Sequence, residues 1–258
     1  MIGRLLKGLA PLAALAMGAS LGGCGGADLK INGEEGVPLS ELDMSGAAPT
    51  ELVVSADAKV VVSEGDTLTI TVEDDPENAL RFVLDDETLG VTRDPDLEIK
   101  DGKAVVRVTM PAPKAIVIAA SGSVETTKVA SGSVDIAIGG SGSVAIEEIA
   151  SESLEIAIGG SGSVMGSGTT DRLEIAIGGS GEVLMPGLKA DRAEIAIGGS
   201  GDVAFASDGT VEASIAGSGD IKVTGSAKCE VSSFGSGTLT CSPAPAPAEP
   251  EPATAEEG

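Results

Sequence analysis

Apolar residues recur in two patterns along the chain. Between Glu51 and Met110 they alternate with polar ones in short runs: Leu52-Val53-Val54, Lys59 to Val62, Thr67 to Val72, Leu80 to Leu84 and Ala104 to Val108. β-Branched residues at period two, divided by Glu-Gly-Asp, Asp-Asp-Pro and Asp-Gly, read as strands joined by turns. We assign 51–113 to a small antiparallel β unit. From Ser121 the pattern becomes a repeat. A Ser-Gly pair recurs with its glycine at 122, 132, 142, 162, 181, 201, 219 and 237. Most are preceded by one phrase: Asp135-Ile136-Ala137-Ile138-Gly139-Gly140, then Glu155 to Gly160, Glu174 to Gly179 and Glu194 to Gly199. It decays to Glu212 to Gly217 and Glu230 to Gly235.

A period of 18–20 residues is too short for helix-pair repeats and fits one lap of a β-solenoid. Residues 114–241 are therefore expected to form stacked coils. Each coil has one strand in the Glu-Ile-Ala-Ile phrase and another after the glycine corner. Side chains alternate along a strand, so Ile136 and Ile138 share a face that Asp135 and Ala137 do not. Stacking superposes equivalent positions into columns. One inner column is Ile136, Ile156, Ile175 and Ile195. A second is Ile138, Ile158, Ile177, Ile197 and Ile215. A third is Val144, Val164, Val183, Val203, Ile221 and Leu239. Gly142, Gly162, Gly181, Gly201, Gly219 and Gly237 are read as structural turn glycines, because a lap must turn sharply and glycine accepts positive φ. No phosphate-cradle spacing accompanies them.

The first 23 residues read as a leader. Arg4 and Lys7 precede a short apolar stretch, Leu9 to Ala19, too short to span a bilayer. Its end, Leu21-Gly22-Gly23-Cys24, resembles the bacterial lipobox. That resemblance implies cleavage before Cys24 and lipidation of its thiol; the alternative is an ordinary secretory signal with an incidental cysteine. Gly25, rather than Asp, after the cysteine implies sorting to the outer membrane. Residues 24–50, rich in Gly, acids and Pro, are expected to be a flexible tether with local order near Val37 to Met44. The segment 242–258, alternating Pro and Ala with four Glu, is expected to be disordered. Lipidation of Cys24 leaves Cys229 and Cys241, both at inward positions of the last coil. In an oxidising compartment an even pair reads as one disulfide; the alternative is two buried thiols.

Composition removes whole classes of chemistry. The 258 residues include no His, Trp or Tyr and three Phe. Triads and imidazole metal sites are excluded, and stacking platforms for bases or sugars are hard to build. Sixteen basic against 40 acidic residues give a net charge of −24, which argues against nucleic acid as a partner. The leader holds two cations and no acids, so its loss takes −24 to −26.

What chemistry remains is acidic. Asp135, Glu155, Glu174, Glu194, Glu212 and Glu230 are expected to stack as an outward carboxylate ladder. Like charges at strand spacing repel, so the ladder needs solvent, cations or bases. Arg172, Arg192 and Lys228, two residues before three of these acids, supply part of that relief. The ladder is either a solvated face that discourages aggregation or a weak divalent-cation site; no other cofactor is implied. Gly-Gly-Ser-Gly-Asp at 198–202 and its variant at 216–220 invite comparison with calcium β-rolls, but the Asp is displaced and the spacing is not nine residues. The slot after Ser-Gly varies as Ser, Ser, Glu, Asp, Asp, Thr, which does not make tight calcium sites. Acids at 73–77 and 85–87 fall in turns and read as solvated loops.

With the repeat in hand, the chain resembles the auto-transporter adhesin head GIN domain family of bacterial envelope proteins, over about Glu51 to Cys241. The carriers are the opening β unit, the Pro111 to Gly122 transition and the serial Gly-Ser-Gly-Ser/Asp-Val coils. The resemblance implies a right-handed β-helix and supplies no catalytic residues. The Cys229/Cys241 pair and the acidic Pro-rich tail depart from it. The expectation is a non-enzymatic, lipid-anchored envelope protein whose solenoid face meets an envelope protein or polysaccharide. The competing expectations are a polysaccharide-acting β-helix enzyme using paired carboxylates and a calcium-dependent β-roll adhesin.

Overall fold

The computed structural model describes residues 31, 33–94, 96–97 and 104–243. The leader, Cys24 and the segment from 244 lie outside the described residues. The described chain is nearly all strand, and it forms a β-solenoid of about six turns.

Seven short strands come first: β1 (Glu51–Val54), β2 (Lys59–Glu64), β3 (Thr69–Glu73), β4 (Leu80–Leu84), β5 (Thr88–Arg93), β6 (Val105–Met110) and β7 (Ala115–Ile118). Then β8 (Ser123–Ile138), β9 (Ser143–Ile158), β10 (Ser163–Ile177) and β11 (Glu182–Gly199) each run most of a lap. The later laps divide into β12 (Asp202–Ala206), β13 (Thr210–Gly217), β14 (Asp220–Thr224), β15 (Lys228–Gly235) and β16 (Thr238–Ser242). From β7 onward every pairing is parallel, each lap lying on the one before.

The opening segment differs from its expected antiparallel form. β1 pairs parallel with both β5 and β7, and β2 parallel with both β6 and β8. These strands continue the stack of rungs. Antiparallel pairing is confined to β3 on β6 and β4 on β5. β4 is in turn bridged by Val37, which exchanges backbone hydrogen bonds with Phe82 (2.9 and 2.8 Å). Of the segment expected as a tether, 24–30 lie outside the described residues, and contacts hold the chain at Ile31 and again at Val37, Leu39 and Leu42, within the stretch where local order was expected. Ile31 is buried, Leu39 and Leu42 pack on the core, and Leu39–Glu41 form a 3₁₀ turn.

All three expected columns lie inward and in register. Ile138 pairs with Ile158, Ile158 with Ile177, Ile177 with Ile197, and Ile197 with Ile215. Each is 2% exposed or less. The valine column is equally buried down to Ile221, and Leu239 on the last rung is partly covered. Further inward positions fill the rest of each lap, among them Val134, Leu154, Leu173, Ala193 and Val211. Truncating one of these isoleucines to alanine costs about 2–5 kcal/mol in cores of this density. The column that includes Val211 ends at Cys229, which is bonded to Cys241 with Cα atoms 6.8 Å apart. The bridge closes a loop with a sequence separation of 12, and by chain-entropy arguments stabilises it by about 3 kcal/mol.

The corner glycines meet a different need from the one expected. Gly142, Gly162, Gly181, Gly201, Gly219 and Gly237 are not among the glycines with left-handed φ; in the corner motif that conformation belongs to Gly199, Gly217 and Gly235, just before the serine. What the six cannot accept is a Cβ. One built on Gly162 would lie 2.5 Å from Ile138 Cγ2 and 2.8 Å from the Gly142 carbonyl oxygen of the preceding lap. At Gly159 the nearest atom would be the Ile138 carbonyl oxygen, 3.9 Å away. Gly162→Ala is therefore expected to destabilise by about 1–3 kcal/mol through overpacking. Gly159→Ala should unfold near the wild-type midpoint. Denaturant titration of the two variants checks the contrast, and equal midpoints would remove the close-approach explanation.

Candidate functional site

The hydrogen-bond register that stacks the isoleucines also stacks the acids beside them. Asp135 pairs with Glu155, Glu155 with Glu174, Glu174 with Glu194, Glu194 with Glu212, and Glu212 with Glu230. All six sequence-predicted carboxylates fall in one outward column, with rungs about 4.8 Å apart. The column reaches further than the repeat indicates. Ala115 pairs with Asp135 and Glu51 with Ala115, so Glu51 occupies an earlier rung of the same line. Aligning Glu51-Leu52-Val53-Val54 with Asp135-Ile136-Ala137-Ile138 would have revealed it.

Two residues along each strand, a line of small side chains flanks the acids: Ala137, Ala157, Ala176 and Ala196. Two residues the other way, Arg172 pairs with Arg192, Arg192 with Thr210, and Thr210 with Lys228. Arg172, Arg192, Glu174, Glu194, Glu212 and Thr210 line a cleft of about 230 Å³. The outer face is therefore regular in its side-chain lines and mixed in charge toward its C-terminal half.

Crowding governs the protons of this face. Asp135, Glu155, Glu174 and Glu194 are half-buried, whereas Glu212 and Glu230 are exposed. Burial raises the Glu155 carboxyl to about 7, with Glu174 and Asp135 above and below it adding repulsion. Its Oε1 is closed off from solvent and has no hydrogen-bond partner among the described residues. Burial also raises Asp135. Glu174 is raised by burial and by Glu194, against a lowering pull from Arg172. Glu51 is raised chiefly by burial, with Glu87, Asp85 and Asp135 adding to it and a hydrogen bond from Thr88 Oγ1 (3.3 Å) opposing it.

Five of the other acids singled out in the sequence bond within the fold. Asp202 Oδ1 accepts from the Asp220 N–H (3.1 Å), and Asp220 Oδ1 from the Thr238 N–H (3.3 Å) and hydroxyl (2.6 Å). The two aspartates that invited comparison with calcium β-rolls thus tie their laps to the laps that follow. Asp75 accepts from the Ala79 and Leu80 N–H groups (2.9 and 3.0 Å), and Asp85 from those of Glu87 and Thr88 (2.9 and 2.7 Å). Glu73 pairs with Arg107 at 3.1 Å. Among the described residues no three Asp, Glu or Cys converge as a metal cage. A cation on the ladder would bridge successive rungs rather than enter a cage.

One surface was not foreseen. The outward residues Ala145, Met165, Leu184 and Ala204 pair in line on the strand that follows the corner. Met165 and Leu184 are exposed, and Met165 helps line a groove of about 250 Å³. The even period of the repeat drew attention to the Glu-Ile-Ala-Ile phrase and away from this less regular strand.

Fold and surface together define a β-solenoid with a carboxylate-lined outer face. The chain belongs to the family described as "Putative auto-transporter adhesin, head GIN domain", whose model matches residues 48–227. Among solved structures it is similar to one titled a putative adhesin from Bacteroides fragilis (TM-score 0.67, 19% identity, 77% of this chain and 93% of that one). It is also similar to one titled a putative lipid binding protein from Parabacteroides distasonis (TM-score 0.57, 21% identity, 78% and 94%). A third is titled a putative adhesin from Parabacteroides merdae (TM-score 0.59, 18% identity, 77% and 92%). At these identities the likeness is one of fold. Comparison with curated proteins gave no match. No helix among the described residues is long and apolar enough to cross a membrane.

The ladder makes an unusual stability profile. A carboxyl raised in the folded state keeps a proton that the unfolded chain has already released, so its contribution is complete below the ordinary value of 4.5 and is lost as pH rises to about 7. The melting temperature is expected to fall from pH 5 to pH 8. Glu155→Gln, which keeps the shape without the charge, should melt higher than wild type at pH 8 and show a shallower slope. Calorimetry across this range checks both; a wild-type midpoint that climbs through the window would contradict the crowding.

Proposed function

We propose that this chain is a non-enzymatic binding module of the bacterial cell envelope, anchored by lipid on Cys24, which presents the ladder face to an envelope polysaccharide. The observation that carries the reading is the uninterrupted register of that face. Carboxylates, alanines and the Arg172/Arg192 pair repeat at one spacing over successive laps. A periodic surface suits a periodic ligand, because one favourable contact is repeated per rung and weak contacts sum. Arginine forks can hold sugar-borne carboxylates or phosphates, and the ladder acids can accept from hydroxyls. The absence of histidine and the scarcity of aromatics argue against the lyase or glycosidase alternative. The structural neighbours, described as putative adhesins and a putative lipid binding protein, favour binding over turnover.

The anchor and the ligand are tested separately. Wild-type protein is expected in the outer-membrane fraction carrying acyl chains on Cys24. Cys24→Ala should move it to the soluble fraction; a soluble wild type, or an unmodified Cys24 by mass spectrometry, would remove the anchor. On an array of bacterial envelope glycans, wild type should bind at least one class. Arg172→Ala/Arg192→Ala should weaken that binding by about tenfold or more, as loss of a charge-assisted pair does. Silence across the array, or steady hydrolysis of an acidic glycan, would overturn the reading.

A further inference from the structure

The two ends of the solenoid are finished differently. At the N-terminal end the stack is covered by β3 and β4, which turn back antiparallel, and by the Val37 bridge. Carboxylates at 73–77 and 85–87 crowd that end. At the C-terminal end, among the described residues, β15 pairs only with β13, and β16 only with β14. Their outer edges present backbone N–H and C=O groups with no strand beyond them among the described residues, the usual template for pairing with another chain. The inward residues of β15 are Cys229, Val231 and Ser233, in register with Val211, Ala213 and Ile215. An inward charge, the common guard on such an edge, is missing from them. Val231 is 51% exposed. Of the three phenylalanines, Phe82 and Phe205 are 1% exposed and Phe234, on β15, is 90% exposed.

We propose that a second copy of this chain covers this end, its β15 pairing antiparallel with β15 across a two-fold axis through Val231. Charge selects the occupant and the place. The chain carries −24, so two copies repel over most of their surfaces. The final lap, 220–243, holds two acids, Asp220 and Glu230, and two bases, Lys222 and Lys228, and is locally neutral. Geometry selects the register. Antiparallel partners directly opposite one another point to the same side, so only pairings of inward on inward residues continue the core. Centring on Val231 sets Val231 on its own mate and Cys229 opposite Ser233 of the second copy. It also brings Lys228 against Phe234 of the second copy, an ammonium over an aromatic face. Centring on Glu230 would oppose two carboxylates. Centring on Ser232 would place Glu230 against the phenyl ring. Like ends meeting like ends close the assembly at two copies, and the other open edge, that of β3 at the N-terminal end, carries Glu73 beside the acids of 73–77, which repel a second copy.

Sedimentation of the chain from Gly25 to Gly258 tests this. Wild type is expected at twice the monomer mass at high micromolar concentration. Val231→Lys and Phe234→Asp should each weaken the dimer by about tenfold or more, the usual effect of removing a central contact. Met165→Glu, an exposed apolar site elsewhere, should leave it intact. Circular dichroism and an intact Cys229–Cys241 bridge confirm that the variants fold. A monomeric wild type, or a dimer indifferent to both edge variants, overturns the proposal. So does a wild type that dimerises only when 244–258 is deleted, which would make that segment the occupant. None of these outcomes depends on whether a glycan binds the ladder face.

Discussion

Each lap hydrogen-bonds to the lap before it in parallel register, shifted only locally where β10 and β11 bulge near 165–168 and after Leu184, and this constraint sets what every side chain can touch. A residue inherits its neighbours from the equivalent positions one period away. Ile177 meets Ile158 and Ile197 because the backbone leaves no other rung at that height. The core is thus built from columns of one residue type rather than from interlocking of different shapes, and it needs almost no aromatics. Branched aliphatics suit this, since their stiff χ1 angles repeat identically down a stack.

The same constraint imposes costs. It cannot align the isoleucines without aligning the acids one position before them. Glu155, with carboxylates above and below and one oxygen closed off from water, holds its proton to about pH 7. Toward the C-terminus the pressure eases as Arg172 and Arg192 enter the adjacent line and the acids become exposed. Where laps turn, the register brings backbone so close to backbone that Gly162 has no room for a methyl group. Asp202 and Asp220 use their carboxylates to satisfy the next lap's N–H groups. Acid at these positions is part of the scaffold's bonding.

Much of this was legible in the residues because periodicity is a property of sequence. The isoleucine and valine columns, the carboxylate line and the Cys229/Cys241 pair all follow from counting. What escaped did so for identifiable reasons. Alternation in 51–113 reports which side chains are buried and is blind to strand direction, so β1 and β2 read as antiparallel although both pair parallel. β5 was missed because Gly90 interrupts its apolar run; Ile31 packs against that glycine, from a segment read as tether. Glu51 lies far outside the repeat and joins the ladder only through Ala115. The role of the corner glycines depended on the distance to the preceding lap, which no single-chain pattern contains.

Because every rung touches only the rungs directly above and below it, the scaffold is modular in length. Duplicating one 20-residue segment such as 141–160 would extend the rod by a single strand spacing, about 4.8 Å, without altering either terminus. Extent along the axis is therefore a quantity that evolution, or an engineer, can dial in whole increments. Each added increment would bring one more copy of the outer-face chemistry with it.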